Sequence, residues 1–191
     1  MIHLAPMEPE DVLWLKNWGQ FEDDLFKEYN FGDQENFNHL AWYRWKTGHF
    51  LSDYLTIFLD DRPIGYVGFK TKLRVLGFGV LGVVLGPDYL DRGYGTVALE
   101  LFLKYAFLKE SLRVLYLIVA PYNLRGQHVY EKLGFQRAGI HYYRYPFKDL
   151  PTHHREFAGI WEGGIQFLGA WYLPGIRMKL KREDYLERRG L

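Results

Sequence analysis

Two apolar runs constrain this chain more than any other feature. Residues 76–85 and 113–120 are apolar almost throughout, with Arg113 the one charged residue. A strand-length run without polar alternation belongs in a sheet covered on both faces, and that cover has to come from helices. The segment between the runs supplies one. After Gly93-Tyr94-Gly95, the residues Val97, Leu101, Tyr105 and Leu108 recur at helical spacing and predict one apolar face. Gly77, Gly79 and Gly82 inside the first run predict a buried strand that something approaches closely.

The remaining elements follow from local chemistry. Glu8-Pro9-Glu10 reads as a helix start, with proline in the first turn and acids at the positive dipole end, and Gly19 closes the run. Residues 40–45 predict a second helix. Residues 54–59 and 64–70 predict a hairpin around Asp60-Asp61-Arg62-Pro63. Asn123 is a good N-cap for a short helix ending at Gly134. Further strands are expected over 135–145 and 176–181, a hairpin turn at Glu162-Gly163-Gly164, and a polar helix over 183–189. The order β-α-α-β-β-β-α-β-α-β-β is α/β with a mixed sheet, not a regular βαβ repeat. A length of 191 residues fits a single domain.

Composition narrows the function. The 24 Lys and Arg against 23 Asp and Glu leave a charge of +1, so no whole-molecule field recruits nucleic acid or an anionic membrane. The absence of cysteine excludes a thiolate metal site and an acyl-cysteine intermediate. No stretch reaches the ~18 apolar residues of a membrane span, and the first residues lack a signal-peptide pattern, so a soluble, cytoplasmic protein is expected. Aromatic residues make up 18% of the chain, more than a core alone calls for, and point to an aromatic pocket or partner surface.

The chemistry is carried by Leu85-Gly86-Pro87-Asp88-Tyr89-Leu90-Asp91-Arg92-Gly93-Tyr94-Gly95-Thr96. A buried strand runs into a glycine-bearing loop and a helix opens at once, the arrangement that presents free N–H groups to a phosphate. Arg92 adds a cation for the same anion. The dinucleotide fingerprint is excluded, because the loop follows the fourth strand and not the first of a βαβ unit. A P-loop lacks its Gly-Lys-Ser/Thr.

About 30 residues later stands Asn123-Leu124-Arg125, followed by Tyr130-Glu131-Lys132-Leu133-Gly134-Phe135. With Leu90-Asp91-Arg92-Gly93-Tyr94-Gly95 it resembles the paired signatures of the GNAT superfamily of acyl-coenzyme A dependent N-acetyltransferases. The opening Leu4-Ala5-Pro6-Met7-Glu8-Pro9-Glu10-Asp11 looks like the branch that includes the ribosomal-protein-alanine and spermidine acetyltransferases. The likeness covers residues 1–140 well and 141–191 loosely. It implies a mostly antiparallel mixed sheet with helices on both faces, whose fourth and fifth strands splay. It implies acetyl-CoA as co-substrate, with main-chain groups of Val83, Val84 and Leu85 pairing with pantetheine amides. Backbone N–H groups of Asp91, Arg92, Gly93, Tyr94, Gly95 and Thr96 are then to hold the pyrophosphate. Asn123 is to position the pantetheine arm, Arg125 to reach coenzyme phosphates, and Tyr130 to return a proton to the leaving thiolate.

The pattern departs from the family in places. Leu90 stands where the family has Gln or Arg, and Asp91 sets an anion beside the expected pyrophosphate. Gly126 replaces a usual alanine. Residues 77–85 and 115–120 carry no carboxylate or histidine, so a general base has to come from the Glu22-Asp23-Asp24 run, Glu28, His141 or water. Without an obvious base, a low-pKa amine is the easier nucleophile, which favours a peptide N-terminus or small amine over lysine. The leading expectation is therefore acetyl transfer to a primary amine by direct attack in a ternary complex. The alternatives are a catalytically weak or inactive acyl-CoA-binding or interaction module, and a polyamine or aminoglycoside acetyltransferase with residues 22–35 as an acidic mouth. The His153-His154 pair is not expected to hold a metal, since neighbours on a strand point apart and no third ligand recurs nearby. Aromatic residues in 143–175 suggest a homodimer.

Overall fold

The computed structural model describes residues 1–30, 37–146, 150 and 153–190. In chain order the strands and helices are β1 (Ile2–Pro6), α1 (Pro9–Leu15), α2 (His39–Thr47), β2 (Asp53–Leu59), β3 (Arg62–Leu73), β4 (Phe78–Leu85), α3 (Tyr94–Lys104), β5 (Val114–Val119), α4 (Leu124–Leu133), β6 (Gln136–Arg144), α5 (Arg155–Trp161), β7 (Ile165–Phe167), β8 (Ala170–Lys181) and α6 (Arg182–Arg189). A 3₁₀ turn occupies Asp24–Tyr29 and a π-helical turn Tyr105–Lys109. The fold class expected from the sequence holds: mixed α/β with a mostly antiparallel sheet. The chain falls into two compact units, Met1–Gln20 with Phe31–Leu115 and Lys181–Leu191, and Phe21–Asn30 with Tyr116–Leu180.

In the first unit β1, β2, β3 and β4 pair antiparallel in sequence. β3 is buried from Pro63 to Phe69, as a central strand covered on both sides must be. Its alternation sends Tyr66 to one face, where it packs with Val12, Leu15 and Trp18 at α1. Phe69 goes to the other, with its ring centroid 4.8 Å from that of Phe102 in α3. Helices therefore cover both faces.

The expected apolar stripe of α3 is corrected. Val97, Leu101 and Leu108 are exposed, whereas Ala98, Leu99, Phe102, Leu103, Ala106 and Phe107 are buried. This helix is apolar nearly all round, so spacing alone does not choose its inward face, and the π-helical turn shifts the register after Lys104. The glycines of 76–85 answer to the chain's own side chains. A Cβ at Gly79 would lie 2.8 Å from Phe69, and one at Gly82 would lie 2.9 Å from Lys70 and 3.3 Å from the Tyr54 hydroxyl.

In the second unit β8 pairs antiparallel with β6 and with β7. The β6–β8 register slips between Arg137 and Ile140, where Gly139 takes φ 102°. Arg177 donates twice to the freed Ala138 carbonyl, at 3.0 and 2.8 Å. The expected hairpin turn at Glu162-Gly163-Gly164 is also corrected, because that tripeptide follows α5. The hairpin turns at Leu168-Gly169, both at positive φ (48° and 73°), the geometry two-residue hairpin loops favour. The 143–175 stretch is in good part core rather than open surface. Tyr145, Phe157, Ile160 and Leu173 pack with Leu25, Ala120 and Tyr122, while Phe167 and Leu168 at the hairpin are exposed.

Candidate active site

In the first unit, β4 delivers the chain into the loop and α3 opens from it. Val83, Val84 and Leu85 pair with Val67, Tyr66 and Gly65 of β3. A 3₁₀ turn at Pro87–Tyr89 follows, then Asp91 at φ 58° and Gly93 at φ 79°. Gly93 is the N-cap of α3 and no side chain caps the helix, so the first-turn N–H groups of Tyr94, Gly95 and Thr96 have no intrahelical acceptor. A Cβ at Gly93 or Gly95 would touch nothing within 4 Å. Gly93 is required by its left-handed backbone. Gly95 has no such requirement, and its open face is the space an oxyanion needs to reach the helix terminus. These residues fit the phosphates of a coenzyme. Asp91 and Arg92 are both exposed at the same loop.

In the second unit, Asn123 caps α4, its Oδ1 accepting from the Gly126 N–H at 2.8 Å. The same contact explains the unusual glycine. A Cβ at position 126 would fall 2.9 Å from both ends of the Asn123 carboxamide, so alanine there would displace the cap. Gln127, which the sequence did not single out, is buried and donates to the Pro121 carbonyl at 2.8 Å while accepting from Arg137 at 3.0 Å. It ties the loop before Asn123 to the helix that carries Tyr130. Arg125 is exposed with its guanidinium 6.0 Å from the centre of the Phe26 ring. Tyr130 is half-buried and meets Phe135 edge-on. Burial pushes its hydroxyl up to about 12.

The same unit gathers a group of tyrosines around Glu28. Burial, and then the Glu28 charge, raise the hydroxyls of Tyr29, Tyr122, Tyr143 and Tyr145. Tyr29 donates to the Glu28 carboxylate and also senses Tyr130. The Tyr122 and Tyr143 hydroxyls are buried and face each other, with no further hydrogen-bond partner among the described residues. Of the other candidate bases, His141 is exposed on β6. The acidic run is used locally: Asp23 caps the 3₁₀ turn through the Leu25 N–H at 2.9 Å, and Asp24 pairs with Lys27. Residues 31–35 of the expected acidic mouth lie outside the described residues.

The expectation that His153 and His154 point apart is corrected. The two residues stand in a turn ahead of α5, not on a strand; their ring centroids are 4.4 Å apart. Asp24 joins them, so that three ligand atoms lie within 4.8 Å of one another. His153 faces Asp24 at 3.3 Å and His154 faces Asp23 at 3.7 Å.

The Acetyltransferase (GNAT) domain matches residues 2–136, well over half of the chain. The chain belongs to the GNAT acetyltransferase family. A 57-residue stretch is 39% identical to the spermidine N(1)-acetyltransferase of Escherichia coli (strain K12), over 30% of this chain and 31% of that protein. The chain thus matches about a third of that relative's length. The fold is that of spermidine N-acetyltransferase from Vibrio cholerae. Its crystal structure in complex with CoA and spermine is 18% identical with a TM-score of 0.67, covering 97% of this chain and 98% of that one. A dodecameric structure of the same enzyme has a TM-score of 0.66 at 18% identity, covering 98% and 97%. No helix among the described residues is long and apolar enough to cross a membrane.

Proposed function

We propose that this chain is an acetyl-CoA dependent N-acetyltransferase, acting as one domain over residues 1–191, whose acceptor is a small cationic amine of the polyamine class. The observation that carries the choice of acceptor is the Glu28 carboxylate among phenols, in the same unit as Tyr130. A carboxylate flanked by hydroxyls and ring faces selects an ammonium-bearing ligand. A peptide N-terminus, with one charge, uses that arrangement less fully than a polyamine, which can seat one ammonium at Glu28 and present another amine for acetylation.

Main-chain groups of Val83, Val84 and Leu85 pair with the pantetheine amides in this reading, as an added strand pairs with a sheet. The N–H groups of residues 91–96 hold the pyrophosphate, with Arg92 assisting. Asn123, whose oxygen is committed to the cap, offers its amide N–H to the pantetheine arm. Arg125 reaches the phosphates only by leaving the Phe26 ring. The bound coenzyme supplies the activated acetyl group. The neutral amine attacks the thioester carbonyl and the C–S bond breaks.

Tyr130 serves the departing sulfur by hydrogen bonding. With its hydroxyl at about 12 and a thiol near 8.5, complete proton transfer to the thiolate is uphill by about 5 kcal/mol. The phenol therefore stabilises the thiolate as a donor, and the proton lost by the amine leaves through water. Self-association into an assembly and a cytoplasmic location complete the proposal.

A thermal-shift titration tests the coenzyme half, with pantetheine and ATP as controls. At 100 times Kd, acetyl-CoA stabilises by about 2.7 kcal/mol, which raises the melting temperature by roughly 5–10 °C at this length. No shift at millimolar acetyl-CoA would contradict the proposal.

A further inference from the structure

The first unit holds a second aromatic cluster that this reaction does not use. The Lys46 ammonium on α2 lies 4.6 Å from the centre of the Tyr54 ring, 4.7 Å from Tyr66, 5.4 Å from Trp45 and 5.6 Å from Trp42. Tyr54 and Tyr66 are buried and the lysine half-buried. Among the described residues no carboxylate pairs with it. At the end of α2 the Ser52 hydroxyl has the Lys46 carbonyl at 3.0 Å and the His49 carbonyl at 2.8 Å, and its one proton serves either. The cage lies against β4: the missing side chain at Gly82 leaves room for the Tyr54 hydroxyl at 3.3 Å and for Lys70 at 2.9 Å. The next residues along that strand are Val83, Val84 and Leu85.

We propose that Lys46 is a self-acetylation site, taking the acetyl group of a thioester bound along Val83, Val84 and Leu85. This rests on the coenzyme reading above. The lone pair of Lys46 Nζ attacks the thioester carbonyl carbon, the C–S bond breaks, and the proton lost by nitrogen goes to the thiolate. The products are an acetyl-lysine amide and free coenzyme thiol, with nothing oxidised or reduced.

The surroundings favour a free amine. Tyr54 faces the group from β2, Tyr66 and Lys70 from β3, and Trp42 and Trp45 from α2 itself. Burial, with the Lys70 charge in second place, lowers Lys46 to about 7; the ring faces favour the ammonium and give back part of this. An amine lowered in this way is neutral at pH 7 in a far larger fraction than the below ~0.1% of an ordinary lysine. The Met1 terminus, another amine a thioester could meet, pairs with Asp60 at the surface.

The test is to incubate the full chain with acetyl-CoA and no acceptor, then measure acetylation at every lysine by mass spectrometry. Lys46 should be marked at least tenfold faster than any other lysine, at a rate independent of protein concentration. Both Lys46→Arg and Lys46→Met should lose the mark and keep the acetyl-CoA thermal shift. A shift without a mark at Lys46, an even spread over surface lysines, or a rate that rises with protein concentration would overturn this proposal alone. Neither shift nor mark would overturn it together with the coenzyme reading. A parallel reaction with acetyl phosphate, a donor that needs no coenzyme site, separates the amine's own reactivity from its supply of thioester.

Discussion

Aromatic rings surround a cation in one unit of this protein and an anion in the other. Around Lys46 the rings of Trp42, Trp45, Tyr54 and Tyr66 lie close to the ammonium and take the place of part of its water. Around Glu28 the groups that matter are the hydroxyls of Tyr29, Tyr122, Tyr143 and Tyr145, whose ionisation its charge opposes. Tyrosine serves both clusters because it has a π face for cations and an O–H donor for anions. The difference teaches that the high aromatic content is not one pocket. One cluster surrounds a resident amine with ring faces, and the other surrounds with hydroxyls the carboxylate that the proposed function gives to an incoming amine.

Substitutions can separate the two. The largest effect is expected at Tyr130, beside the anionic cluster. Tyr130→Phe should lower turnover about 100-fold, the effect of losing one donor to a developing anion, and leave acetyl-CoA affinity within twofold. Equal loss of both would make the tyrosine structural. Glu28→Gln keeps the shape of its cluster and removes the charge. The KM for spermidine should rise about tenfold, the value of one charge-assisted contact, with the acetyl-CoA thermal shift unaltered. An unchanged KM would remove Glu28 from acceptor binding.

The cationic cluster is read through pH. Lys46 gains its proton at about 7 when folded and near 10.4 when unfolded. Between those values the unfolded chain binds more protons, so this group makes stability rise from about pH 7 to pH 10, with no slope below 7. Lys46→Met should remove that slope and stabilise at pH 7 by about 1–2 kcal/mol, discounted for a half-exposed group, an advantage that fades by pH 10. Equilibrium denaturation across that range checks it. The smallest effect is expected at the loop. Asp91→Asn takes an anion from beside the α3 N-terminus and should tighten acetyl-CoA about two- to fivefold, most clearly at low salt.

What was legible in the sequence follows the same division. The strand, loop and helix from Leu85 to Thr96 could be read because backbone demands leave glycine behind: Gly93 at φ 79° and Gly95 with open space above it. Asn123 and Gly134 were legible for the same reason, as a cap and a left-handed terminus. The inward face of α3 was not, since an almost wholly apolar helix has no polar side to mark solvent. The hairpin turn was missed because Leu168 adopts φ 48°, which leucine rarely does and which no turn rule assigns to it. The Glu28 cluster draws on residues from 28 to 145, and Lys46 finds its rings on three elements. Such groupings depend on packing that no local spacing encodes.

The most direct test of the account is acetyl transfer itself. Coenzyme thiol release should be measured on mixing the protein and acetyl-CoA with spermidine, and separately with a peptide of free N-terminal alanine. Multiple turnovers are expected with spermidine, with a much lower kcat/KM for the peptide and loss of that preference in Glu28→Gln. Turnover of the peptide at an equal or greater kcat/KM, or no thiol release with either amine, would contradict it.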